Sequence, residues 1–181
     1  MAARMFADRG FDAVTTREIA KEAKVTFPMM YRLFHDKRGL YLASCGSVLG
    51  RISGKYSAVL SGSSLPESRL LAFVSQMYGD LLNDACVFKL MQREILDRDD
   101  RGIEQLTRAY FFDPYNMVKE ICIDLIGDEG GESAALAIYV VTFGFIQFRS
   151  IGQVIAVAGP RWRDADAMAR MILRQVLPNT D

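Results

Sequence analysis

The sequence has one histidine, three cysteines and no net charge, and each scarcity removes a class of function. Cys45, Cys86 and Cys122 lie far apart with no paired spacing. Neither a zinc site nor a disulfide framework is expected, and the chain reads as reduced and cytoplasmic. The carboxylates of Glu94, Asp97, Asp99 and Asp100 are the right residue type for a metal, but a di-metal helical bundle needs a Glu-x-x-His pair on two helices. The only histidine, His35, is at the wrong end of the chain. Glycine-rich phosphate loops and nucleophile elbows are missing. The expectation is a protein that is not an enzyme, with no catalytic residue, no metal and no cofactor. The first residues lack the basic-then-apolar pattern of a signal peptide. The most apolar run, Ala134 to Phe148, is about fifteen residues, short of the roughly twenty that span a bilayer, so no membrane partner is expected.

What is present is a chain of 181 residues, half of them hydrophobic, enough for one good core and a small second one. The zero net charge hides an asymmetry. Residues 1–55 hold ten Lys and Arg against five Asp and Glu, whereas residues 56–181 hold twelve against seventeen. A basic head on an acidic body is the footprint of a nucleic-acid-binding module joined to something that stays off nucleic acid.

The basic part contains TTREIAKEAKVTFPMMYRLF, Thr15 to Phe34, with the spacing of a helix-turn-helix. Thr15 and Glu18 form a capping box that starts a short helix. Its expected buried face is Ile19, Ala20 and Ala23, with Ala20 small enough for two helices to cross closely and Val25 plugging the corner. Thr26 caps a second helix with Pro28 in its first turn, where a missing N–H costs nothing. That helix buries Met30 and Phe34 and turns Phe27, Met29, Tyr31, Arg32 and Leu33 wholly or partly outward, a presentation suited to the major groove.

With Phe6 and Gly10-Phe11 before this stretch, TTREIA at its start, Val25, Tyr31 and Phe34 within it, and DKRGLY at Asp36 to Tyr41 after it, residues Ala2 to about Leu42 resemble the DNA-binding domain of the tetracycline-repressor (TetR) family. The resemblance implies an all-α protein. A three-helix helix-turn-helix head, residues 1–42, would bind double-stranded operator DNA. A helical-bundle body, residues 43–181, would bind a small-molecule effector and form a homodimer. Position by position it implies phosphate contacts from Thr16, Tyr31 and Lys37, and base-facing roles for Arg17, Phe27, Pro28, Met29 and Arg32; Thr26 completes the DNA-binding set. Two positions depart from the family pattern. Lys24 stands where glycine is usual at a left-handed turn position, a cost of about 1 kcal/mol. Phe27 and Met29 replace polar or small residues, so the expected readout is apolar contact with thymine methyls plus Arg17 or Arg32 on guanine. Ala2 already reads as helical, which leaves little room upstream for a basic arm.

In the body, Tyr41, Cys45, Val48, Ile52, Tyr56 and Val59 trace the buried stripe of one helix over Lys37–Leu60, roughly 36 Å long. Gly46, Gly50 and Gly54 recur on another face, for close packing or for a soft connector. Ser64 and Glu67 read as a second capping box, followed by an apolar face at Leu70, Val74, Met77, Tyr78 and Leu81. A helix from about Cys86 to Leu96 is expected to bury Phe88, Met91 and Ile95. After DRDDRG, the pattern resumes with Ile103, Leu106 and Tyr110, and Asp113-Pro114 restarts a helix. The aromatic and Met-rich residues suggest a hydrophobic effector site built from Met77, Met91, Glu94, Tyr110, Phe111, Tyr115 and Phe145, with plain core as the rival reading. Gly127 to Gly131 reads as the last loop. Beyond it, a helix from about Glu132 to Val157 is apolar on nearly every side and so should be buried all round. A final helix over about Asp164–Leu177 presents Met168, Met171, Ile172 and Val176. Two such helices carry more apolar surface than one chain covers, which predicts a two-fold dimer through them. The functional expectation is a repressor released from its operator by a small hydrophobic ligand. The alternatives are an activator of the same fold and a helical ligand-binding protein with weak or lost DNA binding.

Overall fold

The computed structural model describes residues 1–96, 100–155 and 160–177, without the side chains of residues 94–96, 100–103, 153, 155, 160 and 161. The expected roles of Glu94, Ile95, Asp97, Asp99, Asp100 and Ile103 therefore lie outside the described side chains. Within the described residues the fold is all-α, as expected. Ten helices are present: α1 Ala2–Arg9, α2 Thr16–Glu22, α3 Phe27–Phe34, α4 Lys37–Leu60, α5 Pro66–Asn83, α6 Ala85–Leu96, α7 Asp100–Tyr110, α8 Phe112–Ile126, α9 Asp128–Ile155 and α10 Ala165–Val176. A 3-10 turn, Pro160–Arg163, precedes α10.

The chain packs into two compact units, each of them discontinuous. The first holds Met1–Ile52 with Asp84–Phe111, and the second holds Ser53–Asn83 with Phe112–Asp181. In the first unit, Phe6, Val14, Ile19, Ala20, Met30, Leu40, Tyr41, Cys45 and Leu49 share one core with Leu90 of α6 and Leu106 of α7. The rings of Phe6 and Phe11 both meet Tyr41 edge-on, at 5.0 and 5.3 Å. Gly10 ends α1 at φ +84°, in the left-handed region that glycine enters without strain. α6 is held against the end of α1, where Lys89 Nζ reaches Asp8 Oδ1 at 2.5 Å. Arg93 donates to the Asp8 carbonyl at 3.4 Å and lies beside Gly10.

Helix α4 runs over the expected Lys37–Leu60, but its large buried residues are Leu40, Tyr41, Cys45, Leu49, Ile52, Tyr56 and Leu60. Leu49 and Leu60 replace Val48 and Val59, which are half-buried. Gly46 and Gly50 are close-packing positions: the Tyr110 ring lies over both, and a Cβ on Gly50 would stand 3.2 Å from Tyr110 Cε1. Gly54 has open space around it. Only the first two glycines therefore carry the packing reading.

Other expectations shift for identifiable reasons. α5 starts at Pro66, with the Leu65 carbonyl accepting from Arg69 N–H, so Leu65 flanks the helix in place of Ser64. Proline in the first turn supplies the start that the serine was expected to supply. In α6 the fully buried residues are Val87 and Leu90, while Phe88 and Met91 are half-buried. The helix is rotated by about one position from the expected face. Gly127 to Gly131 is not a loop: Gly127, at φ +83°, is a one-residue joint, and α9 begins at Asp128. Gly131 lies inside α9 where α8 passes so close that a Cβ would meet Ile123 N at 2.5 Å. Gly131 thus serves helix crossing, and Gly127 alone makes the turn.

α9 is 28 residues long, and Asp128–Gly152 is long and apolar enough to cross a membrane by length and composition. The shorter apolar run counted in the sequence understated it, because the helix continues through glycine, serine and charged residues on both sides. In the second unit this helix packs on α5, α8 and α10. It is not buried all round: Leu136, Val140, Phe148, Ile151 and Val154 are exposed. On α10, Met168 and Ile172 are buried.

Candidate nucleic-acid interface

The head is set by local chemistry. The Thr15 hydroxyl accepts from Glu18 N–H at 3.2 Å, and Glu18 Oε2 accepts from Thr15 N–H at 2.8 Å and from the Thr15 hydroxyl at 2.7 Å. Arg9 adds an ion pair to Glu18 Oε1 at 2.9 Å and donates to the Ala13 carbonyl at 2.7 Å, tying α1 to the start of α2. These hydrogen bonds, chiefly those from Thr15, hold the Glu18 carboxyl down at about 2. Val25 N–H closes the turn onto the Ala20 carbonyl at 3.0 Å. Lys24 takes φ +54°, the left-handed conformation expected of this position.

Thr26 caps α3, its hydroxyl accepting from Met29 N–H at 3.4 Å with Pro28 in the first turn. Met30 is the buried anchor of α3, and Phe34 is half-buried. Phe27, Met29, Tyr31 and Leu33 are 37, 46, 50 and 58% exposed, an apolar surface that water alone does not explain. Ala23 and Val25 were expected inside and are exposed. α2 turns Ile19 and Ala20 toward the core, and the helix ends before Ala23 can follow them. Both residues instead line an open apolar groove of about 430 Å³ with Ala2, Met30, Leu40 and Val48.

The expected reading residues stand next to one another. The Arg17 guanidinium carbon lies 5.7 Å from the centre of the Phe27 ring, and that ring lies 5.4 Å from Tyr31. Arg17 is thus held by a cation–π contact beside the start of α3. Arg32 is exposed and Thr16 half-buried. Lys37, expected at phosphate, has its ammonium 4.4 Å from the centre of Phe11 and donates to the Asp12 carbonyl at 3.3 Å. Asp36 caps α4 by accepting from Gly39 N–H at 2.6 Å. His35 ends α3 at φ +61°. The Arg9–Glu18 pair and the hold on Lys37 had no signal in the sequence, since each joins residues from different elements.

The expected effector residues are divided between the two units. Met91, Tyr110 and Phe111 belong to the first, where Tyr110 is spent on α4 packing. Met77, Tyr115 and Phe145 belong to the second. Met77 is buried in the core, and Phe145 packs against Trp162 at 5.8 Å. Tyr115 joins a run of rings through Tyr139 at 5.8 Å, Phe73 at 5.7 Å from Tyr139, and Tyr56 at 5.2 Å from Phe73. Tyr56, Phe73 and Tyr139 were not among the expected residues; they come from α4, α5 and α9, and no local spacing links them.

Residues 1–44 match the family described as bacterial regulatory proteins, tetR family. No curated protein matches the sequence. The fold is similar to that of a transcriptional regulator FadR from Bacillus subtilis, solved in complex with stearoyl-CoA, at 16% identity and a TM-score of 0.73, covering 99% of this chain and 96% of that one. It is similar to a TetR-family transcriptional regulator from Bordetella parapertussis 12822 at 18% identity and a TM-score of 0.65, covering 97% and 90%. It is also similar to a TetR/AcrR-family regulator from Thermobifida fusca YX-ER1 at 16% identity and a TM-score of 0.66, covering 99% and 94%.

Proposed function

We propose that this chain, which carries the head and the fold of the TetR-family transcriptional regulators, is a homodimeric repressor that leaves a two-fold operator when a small hydrophobic ligand enters its body. The observation that carries the reading is α3: doubly capped, anchored by Met30, and presenting Phe27, Met29, Tyr31 and Arg32 to solvent beside Arg17. Residues 1–42 would act as the DNA-binding domain and 43–181 as the effector-binding and dimerisation domain. Thr16, Tyr31 and Lys37 would take phosphates, and Arg17, Arg32, Phe27, Pro28 and Met29 would face bases, with Thr26 at the helix start.

Dimerisation is supported by α9, whose exposed Leu136, Val140, Phe148, Ile151 and Val154 form an apolar face on a long helix. Beside it Val141, Gly144, Phe145, Phe148, Ile151, Gly152 and Trp162 line an open groove of about 490 Å³. Two heads on such a dimer would meet major grooves roughly 34 Å apart or a longer helical distance. Effector binding is supported by the stearoyl-CoA held by FadR, a protein of similar fold. Because α4 begins in one compact unit and ends in the other, a ligand that changes its course would change the separation of the heads. Equal separation with and without inducer, measured between labels on the two heads, counts against this coupling.

The test of the function is selection of duplexes from a random pool, followed by titration at several salt concentrations with Arg17→Ala and Tyr31→Ala alongside. Tight, salt-sensitive binding to a palindrome, weakened by both substitutions, supports the regulator. Failure to select any sequence would favour a ligand-binding protein whose head no longer grips DNA.

A further inference from the structure

Three solvent-inaccessible polar atoms of the second unit lack a hydrogen-bond partner among the described residues, and two of them are Oδ2 of Asp80 on α5 and the hydroxyl of Tyr139 on α9. Asp80 and Tyr139 both act on one phenol, that of Tyr56 on α4. Burial holds the Tyr56 hydroxyl above the ordinary tyrosine range, and the Asp80 charge and Tyr139 push it further. Tyr139 is raised by its own burial and then by Tyr115. Both phenols therefore stay protonated at neutral pH. The other oxygen of Asp80 meets Lys55 Nζ at 3.4 Å, a long contact to a side chain that is 43% exposed. One carboxylate oxygen thus remains an acceptor with nothing to accept. A third unpartnered atom, Arg69 Nε, belongs to the start of α5, where the same guanidinium donates to the Leu60 carbonyl at 2.9 Å.

Buried polar atoms are rarely left unpaired, and a carboxylate oxygen can be satisfied only by a donor. Its setting indicates which donor. Tyr56, Phe73, Tyr139 and Tyr115 bring four rings together from four helices, at successive spacings of 5.2, 5.7 and 5.8 Å. Aromatic faces attract cations, and an unpaired carboxylate oxygen adds to the attraction. We propose that Asp80, Tyr139 and this run of rings bind an organic cation, a protonated amine on an apolar or aromatic body. The ammonium donates to Asp80 Oδ2, the Tyr139 hydroxyl accepts a second N–H, and the body lies against the rings. This site rests on the reading of residues 43–181 as the effector domain and gives its ligand a charge. A bound water would satisfy the two polar atoms equally well but would show no preference among organic molecules.

The experiment uses the full chain and three probes that share one ring and linker: 2-phenylethylamine, 2-phenylethanol and phenylacetate. Calorimetry and thermal shift are run on the native protein, Asp80→Asn and Tyr139→Phe. The expected result is binding in the order amine, alcohol, phenylacetate, with the amine weakened about tenfold or more by Asp80→Asn and by less in Tyr139→Phe. Tyr139→Phe keeps the ring, so it carries the test if Asp80→Asn fails to fold. No amine binding, equal binding of amine and phenylacetate, or amine binding untouched by the substitutions overturns the site. The regulator reading fails separately, by loss of duplex selection in a protein that still binds the amine.

Discussion

Tyr110, the last residue of α7, lies over two glycines one turn apart on α4. A Cβ on Gly46 would meet the phenol oxygen closer than real Cβ contacts come and would stand 3.2 Å from Cζ. Alanine at Gly46 must therefore displace the ring, and the expected cost is about 1–3 kcal/mol in spite of alanine's better helix propensity. Gly54, two turns further along the same helix, has nothing within 4 Å, and Gly54→Ala should stabilise by about 0.5–1 kcal/mol. Urea unfolding of the two variants provides the comparison. Changes of the same sign would mean that the glycine spacing serves flexibility alone.

Acid should loosen the head at a defined point. The Glu18 carboxyl sits at about 2 against an ordinary 4.5, so its stabilising effect is complete above pH 4.5. As pH falls from there the unfolded chain takes up the proton first, and the contribution erodes until it is gone below about pH 2. Glu18→Gln should flatten this stretch of the acid limb, and Thr15→Ala should cost about 1 kcal/mol at neutral pH through loss of the cap. Urea midpoints measured across pH 2–5 check both; an unchanged acid limb in Glu18→Gln would refute the assignment.

The apolar reading surface makes a chemical prediction about the operator. If Phe27 and Met29 touch thymine methyls, replacing thymine by uracil in the half-sites should weaken binding, and Phe27→Ala should remove the difference between the two duplexes. Arg17→Ala should cost about 1–3 kcal/mol if the arginine reads guanine. Filter binding with matched thymine and uracil duplexes separates this from phosphate-only recognition, which would leave the two equal.

A charge on the exposed face of α9 should separate the proposed dimer. Phe148 is 62% exposed, so Phe148→Glu should leave the fold of the chain intact while producing a monomer in sedimentation. Operator binding should fall with it, since a single head loses the second half-site. A variant that still sediments as a dimer would place the interface elsewhere.

How much of this was legible depends on the range of the interaction. The caps at Thr15 and Thr26 were readable because a cap and its amide lie within a few residues. Lys24 was readable only through the resemblance, whose pattern has glycine at this left-handed turn position. The bounds of α4 followed from periodicity, while its buried stripe drifted at Leu49 and Leu60, because the packing neighbours decide which of two adjacent apolar residues turns inward. Gly130 and Gly131 misled in the opposite direction: glycines that read as a loop sit within α9, where Gly131 lets α8 approach. Tyr56 was legible only as one residue of the buried stripe of α4, and Asp80 and Tyr139 left no sign. Each occupies an ordinary helical position, and only the bundle brings them to one place.

The shared core of the first unit bears on how this chain could be recombined with others of its fold. Leu90 and Leu106 complete the same apolar cluster as Phe6, Met30 and Leu49, and Lys89 and Arg93 hold the end of α1. A chimaera cut after residue 52 would carry α3 to a new partner without Leu90 and Leu106, which complete its core. Transplanting the specificity intact requires residues 84–111 to travel with the head. Two crossover points are then needed beyond the first, so an exchange of this unit takes three cuts where the contiguous motif alone would take one.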